Sequence, residues 1–277
     1  MLDSIRQGRS RFPELFPGQM ARDWIVMNRI GAGGMGTVYL VQKSGSTEEC
    51  ALKVTDQYPE LPGGHEASMM QAACPMNHSP RVYESWEEKG RAFIVMEFIR
   101  GRPLNELFRS WAGRLSASQI RWALLGMLGE LQRLHTLPRP IVYGDPKPGN
   151  YIVDPNGNFV LVDYANARYV GDTFRLLQGE GEFFIRGTPS YIPSEHLDTT
   201  GRGVVIDPKS DLYSVGVVGW ELLVGEKAPK FGPVPPLDLR NLPRDMRAIA
   251  NTVNLATRMD RTKRPGSAGV FMEALHD

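Results

Sequence analysis

Val142-Tyr143-Gly144-Asp145-Pro146-Lys147-Pro148-Gly149-Asn150-Tyr151-Ile152-Val153, followed after a short interval by Phe159-Val160-Leu161-Val162-Asp163-Tyr164-Ala165, is the stretch on which the reading of this chain turns. Asp145, Lys147 and Asn150 crowd one loop, and Asp163 ends an apolar run thirteen residues after the asparagine. The set holds a carboxylate able to take a hydroxyl proton, an ammonium able to hold a phosphate, and two oxygen ligands for magnesium. Phosphoryl transfer asks for that inventory, because its catalysis is mostly positioning and charge neutralisation. Asp, Pro, Gly and Asn also make ordinary turns, in which Asp145 and Asn150 would merely cap backbone groups. A second acid at the end of an apolar strand weighs against that plainer account.

The rest of the chain sets bounds. At 277 residues it is long enough for one large domain or two small ones, and 42% hydrophobic with 23% charged residues is the composition of an ordinary soluble globular protein. A formal net charge of +1 gives no electrostatic argument for nucleic acid or an anionic membrane surface. Two cysteines, Cys50 and Cys74, fit a reduced compartment rather than a disulfide framework. The first residues lack the apolar core of a signal peptide, and the most apolar run, Val215 to Val224, is too short to span a bilayer and contains Glu221. These features point to a cytoplasmic protein with neither a nucleic-acid partner nor a membrane segment. No feature specifies an oligomeric state.

Residues 1–22, rich in Arg, Pro and Gly, read as a leader outside the core. From Trp24 onward, Trp24-Ile25-Val26, Thr37 to Val41 and Cys50 to Val54 alternate apolar with polar residues between glycine-rich turns, as in an antiparallel meander. A helix follows Pro62-Gly63-Gly64, with Glu66, Met70 and Ala73 on one face, and two more strands lie near Arg81–Trp86 and Ala92–Phe98. After Gly101 the pattern is helical. Ser116 caps a long helix bearing Ile120, Leu124, Leu128, Leu131 and Leu134, and a helix over about 209–224 is apolar almost all round. Loops and short strands fill 138–200, and helical patterns return near 243–257 and 267–275. The expected fold is α+β in two lobes: a sheet with one main helix over about 23–98, and a mostly helical part over about 101–275.

Three further motifs bear on chemistry. Ile30-Gly31-Ala32-Gly33-Gly34-Met35-Gly36 lets backbone N–H groups approach phosphate oxygens, although glycines in a hairpin have structural uses too. A strand rather than a helix follows it, which disfavours a dinucleotide fingerprint and suits a lid over ATP. Lys53, a residue type usually solvated on a strand, stands seventeen positions after Gly36 and ahead of Glu66 on the next helix, where an ion pair would aim its ammonium at phosphates. Gly187-Thr188-Pro189-Ser190-Tyr191-Ile192-Pro193-Ser194-Glu195 gains meaning beside Asp211 and Arg264-Pro265.

Together these motifs resemble those of bacterial Hanks-type (eukaryotic-like) serine/threonine protein kinases, over residues 24–275 of a domain spanning about 23–275. The resemblance implies a bilobal fold with ATP in the cleft and two Mg²⁺ beneath its phosphates. It implies that Gly31, Gly33 and Gly36 cover the phosphates, that Val38, Ala51 and Ile152 enclose the adenine, that Met96 is the gatekeeper, and that Glu97 and Phe98 form the hinge. Lys53 would hold the α/β-phosphates and Glu66 orient it. Asp145 would be the base, Lys147 would steady the γ-phosphate, and Asn150 and Asp163 would bind metal. Glu195 and Arg264 would form a buried structural pair, with Asp211 a further anchor. Lys147 and Thr188 resemble the subgroup that phosphorylates serine or threonine hydroxyls of protein substrates.

The sequence also departs from the family pattern. Tyr143-Gly144-Asp145 stands for His-Arg-Asp, so the arginine that would clamp a phosphorylated loop is gone and control through Thr173 is disfavoured. Asp163-Tyr164-Ala165 replaces Asp-Phe-Gly, and Pro193-Ser194-Glu195 replaces Ala-Pro-Glu. Residues 225–242 are short and proline-rich where a substrate-docking helix is common. Two alternatives therefore stay open: a nucleotide-binding pseudokinase, and a small-molecule kinase of the aminoglycoside or choline type, whose Gly-Asp…Pro-Gly-Asn loop is similar.

Overall fold

The computed structural model describes residues 14–33, 36–56, 64–74, 79–111, 115–174, 178–179, 182–183, 187–196, 204–205, 207–230 and 232–276. Gly34, Met35 and residues 1–13 of the expected leader lie outside the described residues. The chain divides into two compact units, one ending at Arg100 and one beginning at Gly101.

In the first unit the alternating segments form β1 (Met20–Ala21), β2 (Trp24–Gly33), β3 (Gly36–Lys43), β4 (Glu49–Asp56), β5 (Val82–Glu88) and β6 (Arg91–Glu97). They make one antiparallel sheet in the order β1-β2-β3-β4-β6-β5. It is not a plain meander. Helix α1 (His65–Ala73) carries the chain past one strand position, so β5 takes the outer edge and β6 returns beside β4. The two-residue period of a strand puts Trp24, Val26, Tyr39, Val41, Leu52 and Val54 on one face, where they join Trp86, Phe93 and Val95 in a single apolar cluster. The rings of Trp86 and Phe93 stack in parallel with centroids 4.9 Å apart. Arg22 and the Trp24 indole, from the amino-terminal end of the sheet, both donate to Glu84 on β5, at 2.8 and 2.9 Å. Those bonds hold the Glu84 carboxyl below its usual range.

The segment set aside as a leader belongs to this unit from residue 14 on. β1 pairs with β2, the Gly18 N–H donates to the Val26 carbonyl at 2.8 Å, and Leu15 packs on the apolar cluster. Pro17 and Gly18, the latter at φ +85°, shape a turn in a strap lying on the sheet.

The second unit is mainly helical: α2 (Leu104–Ser110), α3 (Ala117–His135), α4 (Pro208–Val224), α5 (Arg244–Ala256) and α6 (Ala268–Ala274). Ser116 and Gln119 close a reciprocal capping box on α3, as the sequence signature anticipates. α4 begins at Asp207, whose carboxylate accepts from the Lys209 N–H at 2.7 Å, and is buried on nearly every side. α3 packs on α4 and α6, and α4 on α5. Among the described residues from 226 to 242 there is no α-helix, only a 3-10 turn at Leu239–Asn241. No helix among the described residues is long and apolar enough to cross a membrane.

Candidate active site

The quoted loop occupies the segment between β8 (Ile141–Val142) and β9 (Tyr151–Val153), with a 3-10 turn at Pro148–Asn150. It hangs from the buried carboxylate of Asp211, in the first turn of α4. Asp211 accepts the backbone N–H groups of Tyr143 and Gly144, both at 2.8 Å, and meets His135 Nε2 at 2.9 Å. From the first turn of its helix Asp211 thus positions the loop, and His135 is a partner the sequence reading did not single out. A histidine closing a long amphipathic helix was its only signal.

Within the loop the expected residues converge. Lys147 Nζ donates to Asp145 Oδ2 at 2.7 Å and to Thr188 Oγ1 at 2.8 Å, while the Thr188 N–H donates to Asp145 Oδ1 at 3.0 Å. Asn150 Nδ2 donates to the Asp145 carbonyl at 3.0 Å. Burial pushes the Asp145 carboxyl up, Lys147 and Thr188 oppose that shift, and the charge of Asp163 adds to it. Tyr143 is wholly buried, with its ring edge-on to Tyr164 at 5.4 Å and its hydroxyl donating to the Val162 carbonyl. It packs as an apolar pillar under the loop, with a hydrogen bond added. Gly144 has φ +83°, and a Cβ there would lie 2.7 Å from the Asn166 carbonyl oxygen.

Asp163 follows β10 (Phe159–Leu161) with φ +68°, a left-handed backbone state uncommon for non-glycine residues, though aspartate is among those that enter it most readily. Its Oδ1 accepts the Ala165 N–H at 3.4 Å. Asn150 and Asp163 are tied through the backbone, since the Val162 N–H donates to the Asn150 carbonyl at 2.9 Å. Ile152 sits at the centre of β9, paired with Val160 and with Pro103 of β7 (Arg102–Pro103).

The Glu195–Arg264 pair is present. Both Arg264 Nη atoms reach the Glu195 carboxylate, Nη2 at 2.9 Å, and Nε donates to the Arg258 carbonyl at 2.7 Å. Tyr191, between Thr188 and Glu195, donates to Glu221 at 2.9 Å and accepts Ser214 Oγ on its carbonyl at 2.7 Å. This link to α4 was not foreseen.

In the first unit, Lys53 Nζ lies 2.6 Å from Glu66 Oε1, an almost wholly buried pair that joins β4 to α1. Ile30, Gly31, Ala32 and Gly33 end β2, Gly36 opens β3, and Gly33 pairs with Gly36. Gly36 is required by its own sheet, because a Cβ would come 2.4 Å from the Val54 carbonyl oxygen. Gly31 and Gly33 are not: among the described residues a Cβ would meet nothing nearer than 3.8 Å at the first and nothing within 4 Å at the second. Val38 pairs with Lys53, and Ala51 pairs with Met96, both of the latter buried. The Glu97 N–H already donates to the Arg81 carbonyl at 2.8 Å, so that donor is unavailable to an adenine edge. Phe98 follows β6 with the Arg100 guanidinium 5.9 Å from its ring centre.

Among the described residues no cluster of three or more His, Cys, Asp or Glu could hold a metal ion. Asn150 and Asp163 nonetheless fit magnesium. They present a carboxylate and an amide oxygen, the hard donors that ion takes together with phosphate oxygens and water.

Comparison with known proteins addresses the family and the fold. The family model described as "Protein kinase domain" matches residues 24–235. Serine/threonine-protein kinase Pkn1 of Myxococcus xanthus is 32% identical over 241 residues, covering 80% of this chain and 33% of that protein. PknA of Corynebacterium glutamicum is 30% identical over 232 residues, covering 79% and 46%. The chain thus spans a third to about half of the length of these curated relatives. The Mycobacterium tuberculosis PknI kinase domain superposes with a TM-score of 0.69 at 20% identity, covering 95% of this chain and 98% of that one.

Proposed function

Because this chain belongs to the protein kinase domain family, we propose that it transfers the γ-phosphate of ATP to serine or threonine hydroxyls of proteins, its own included. Members of the family use ATP and a divalent metal. The observation that carries the reading is the Asp145–Lys147–Thr188 arrangement. Each Asp145 oxygen accepts one strong bond, from Lys147 or Thr188, which fixes the carboxylate and leaves lone pairs for a substrate hydroxyl.

In the proposed reaction the hydroxyl oxygen attacks the γ-phosphorus in line, its proton passes to Asp145, and the bond to the leaving ADP oxygen breaks. Lys147 steadies the transferring phosphoryl group. Asn150 and Asp163 would hold magnesium, which neutralises phosphate charge when bound. Lys53, oriented by Glu66, serves the α/β-phosphates. Gly31 and Gly33, which packing among the described residues does not demand, suit close approach of backbone to phosphate. Val38, Ala51, Met96 and Ile152 are the apolar surfaces offered to adenine. Lys147 and Thr188, as they bond here, favour Ser/Thr over Tyr as acceptor. Dependence on ATP and unpaired cysteines favour a cytoplasmic setting, with protein substrates and no nucleic acid.

The test is transfer of labelled γ-phosphate from Mg²⁺-ATP to the protein and to a generic basic protein. Label on Ser or Thr that disappears in both Asp145→Asn and Asp163→Asn is the expected result. No label with ATP still bound would mean a pseudokinase instead.

A further inference from the structure

The segment ahead of the family match fastens the least regular part of the glycine hairpin. Val26 pairs with Val41, Asn28 with Leu40, Arg29 with Tyr39 and Gly31 with Val38, so the register of β2 on β3 slips once at Met27 and again at Ile30. Each slip leaves a residue unpaired and interrupts the ladder, and the exposed, glycine-containing end of β2 that follows has little buried side-chain pattern to fix a register. Both slips come just before the glycines.

Residues 14–21 lie on this stretch. The Val26 N–H donates to the Gln19 carbonyl at 2.9 Å, and the Gly18 N–H to the Val26 carbonyl at 2.8 Å. The buried Tyr39 hydroxyl accepts the Leu15 N–H at 3.0 Å. Arg29 Nη1 donates to both Glu14 oxygens, at 2.8 and 2.9 Å. The fasteners therefore grip the last residue before the first slip and both members of the Arg29–Tyr39 pair between the slips.

We propose that residues 14–21 are a positioning strap for the nucleotide, with Glu14, Arg29 and Tyr39 setting the register in which Ile30–Gly33 meets ATP. The proposal rests on the kinase reading, since hairpin register matters to phosphoryl transfer through the ligand the hairpin covers. A strap that only completed the fold would lower stability when loosened and leave the KM of the folded enzyme alone.

The experiment uses the full chain with Arg29→Ala, Tyr39→Phe, and the double reversal Glu14→Arg with Arg29→Glu. Arg29 and Glu14 are about half exposed, with side chains at 52% and 54%. Each single variant is therefore expected to raise KM for Mg²⁺-ATP only about two- to fivefold, the scale of one exposed pair or one hydrogen bond. kcat should hold within about twofold, amide exchange at residues 29–33 should quicken, and the double reversal should restore both readouts. Unchanged KM in both single variants overturns the strap, whether or not thermal unfolding shifts, as does a loss of activity that merely follows loss of folded protein. Should the unaltered chain transfer no phosphate, the kinase reading fails by itself. ATP affinity by calorimetry then replaces KM: faster exchange with weaker ATP binding upholds the strap, unchanged affinity overturns it, and no ATP binding at all removes both.

Discussion

At the scale of single residues, Gly144 changes meaning between sequence and structure. Read by family pattern it is a lost arginine. In the fold its backbone is left-handed, with the Asn166 carbonyl where a Cβ would go. Gly144→Arg should therefore not restore a phosphate clamp; it should destabilise by about 1–3 kcal/mol, the range for a non-glycine residue forced into that region. Gly144→Ala should show most of the same loss, since the conflict sits at Cβ. Urea midpoints for the two variants check this, and an alanine that leaves the midpoint unmoved would sink the account. Asp145, Lys147 and Asn150 were legible because their chemistry is packed into one short loop, whereas Thr188, far along the chain, was reached only through the family resemblance. Glu14 and Tyr39 were not, because an ion pair and a buried hydroxyl acquire roles only once the strap lies against β2 and β3.

At the scale of elements, long periodic segments were readable and short ones were not. α3 shows an apolar stripe, a capping box and nineteen residues, whereas α2 has seven residues and buries only Leu104. β1 has two residues and no period to detect. α3 also hides a cost. Glu130 lies on its buried face beside Arg133, and burial outweighs that partner, pushing the carboxyl from 4.5 up to about 7. The folded state then keeps a proton that the unfolded chain releases. The residue is neutral for stability below about pH 4.5 and becomes destabilising between there and pH 7. Above that it costs on the order of 3 kcal/mol. Glu130→Gln should thus gain melting temperature over the unaltered protein as pH rises from 5 to 8, measured by paired thermal scans. A difference that stays constant with pH would mean that Arg133 offsets the burial.

At the scale of the whole molecule, the division at Arg100 need not be a division of function, but it is a place where stability can be asked of each unit separately. In the second unit Arg264 is a residue on which several segments meet. Besides Glu195 it donates to the carbonyls of Arg258, Met259 and Lys209, and its guanidinium lies 4.8 Å from the Tyr213 ring centre. Its side chain is wholly buried. The sequence pattern exposed the Glu–Arg pair but not these carbonyl partners, which depend on how the turn at Arg261–Lys263 folds back. Arg264→Lys keeps the charge and loses the planar fork, leaving Glu195 half-answered and several carbonyls without a donor. A loss of roughly 3–5 kcal/mol is expected, as for a broken buried pair. Amide exchange resolved along the chain should show faster opening throughout 101–276 while β2 to β6 keep their protection. Were the sheet to open in step, the two units would be one cooperative structure, and the kinetic consequences of any core variant would have to be read from the protein as a whole.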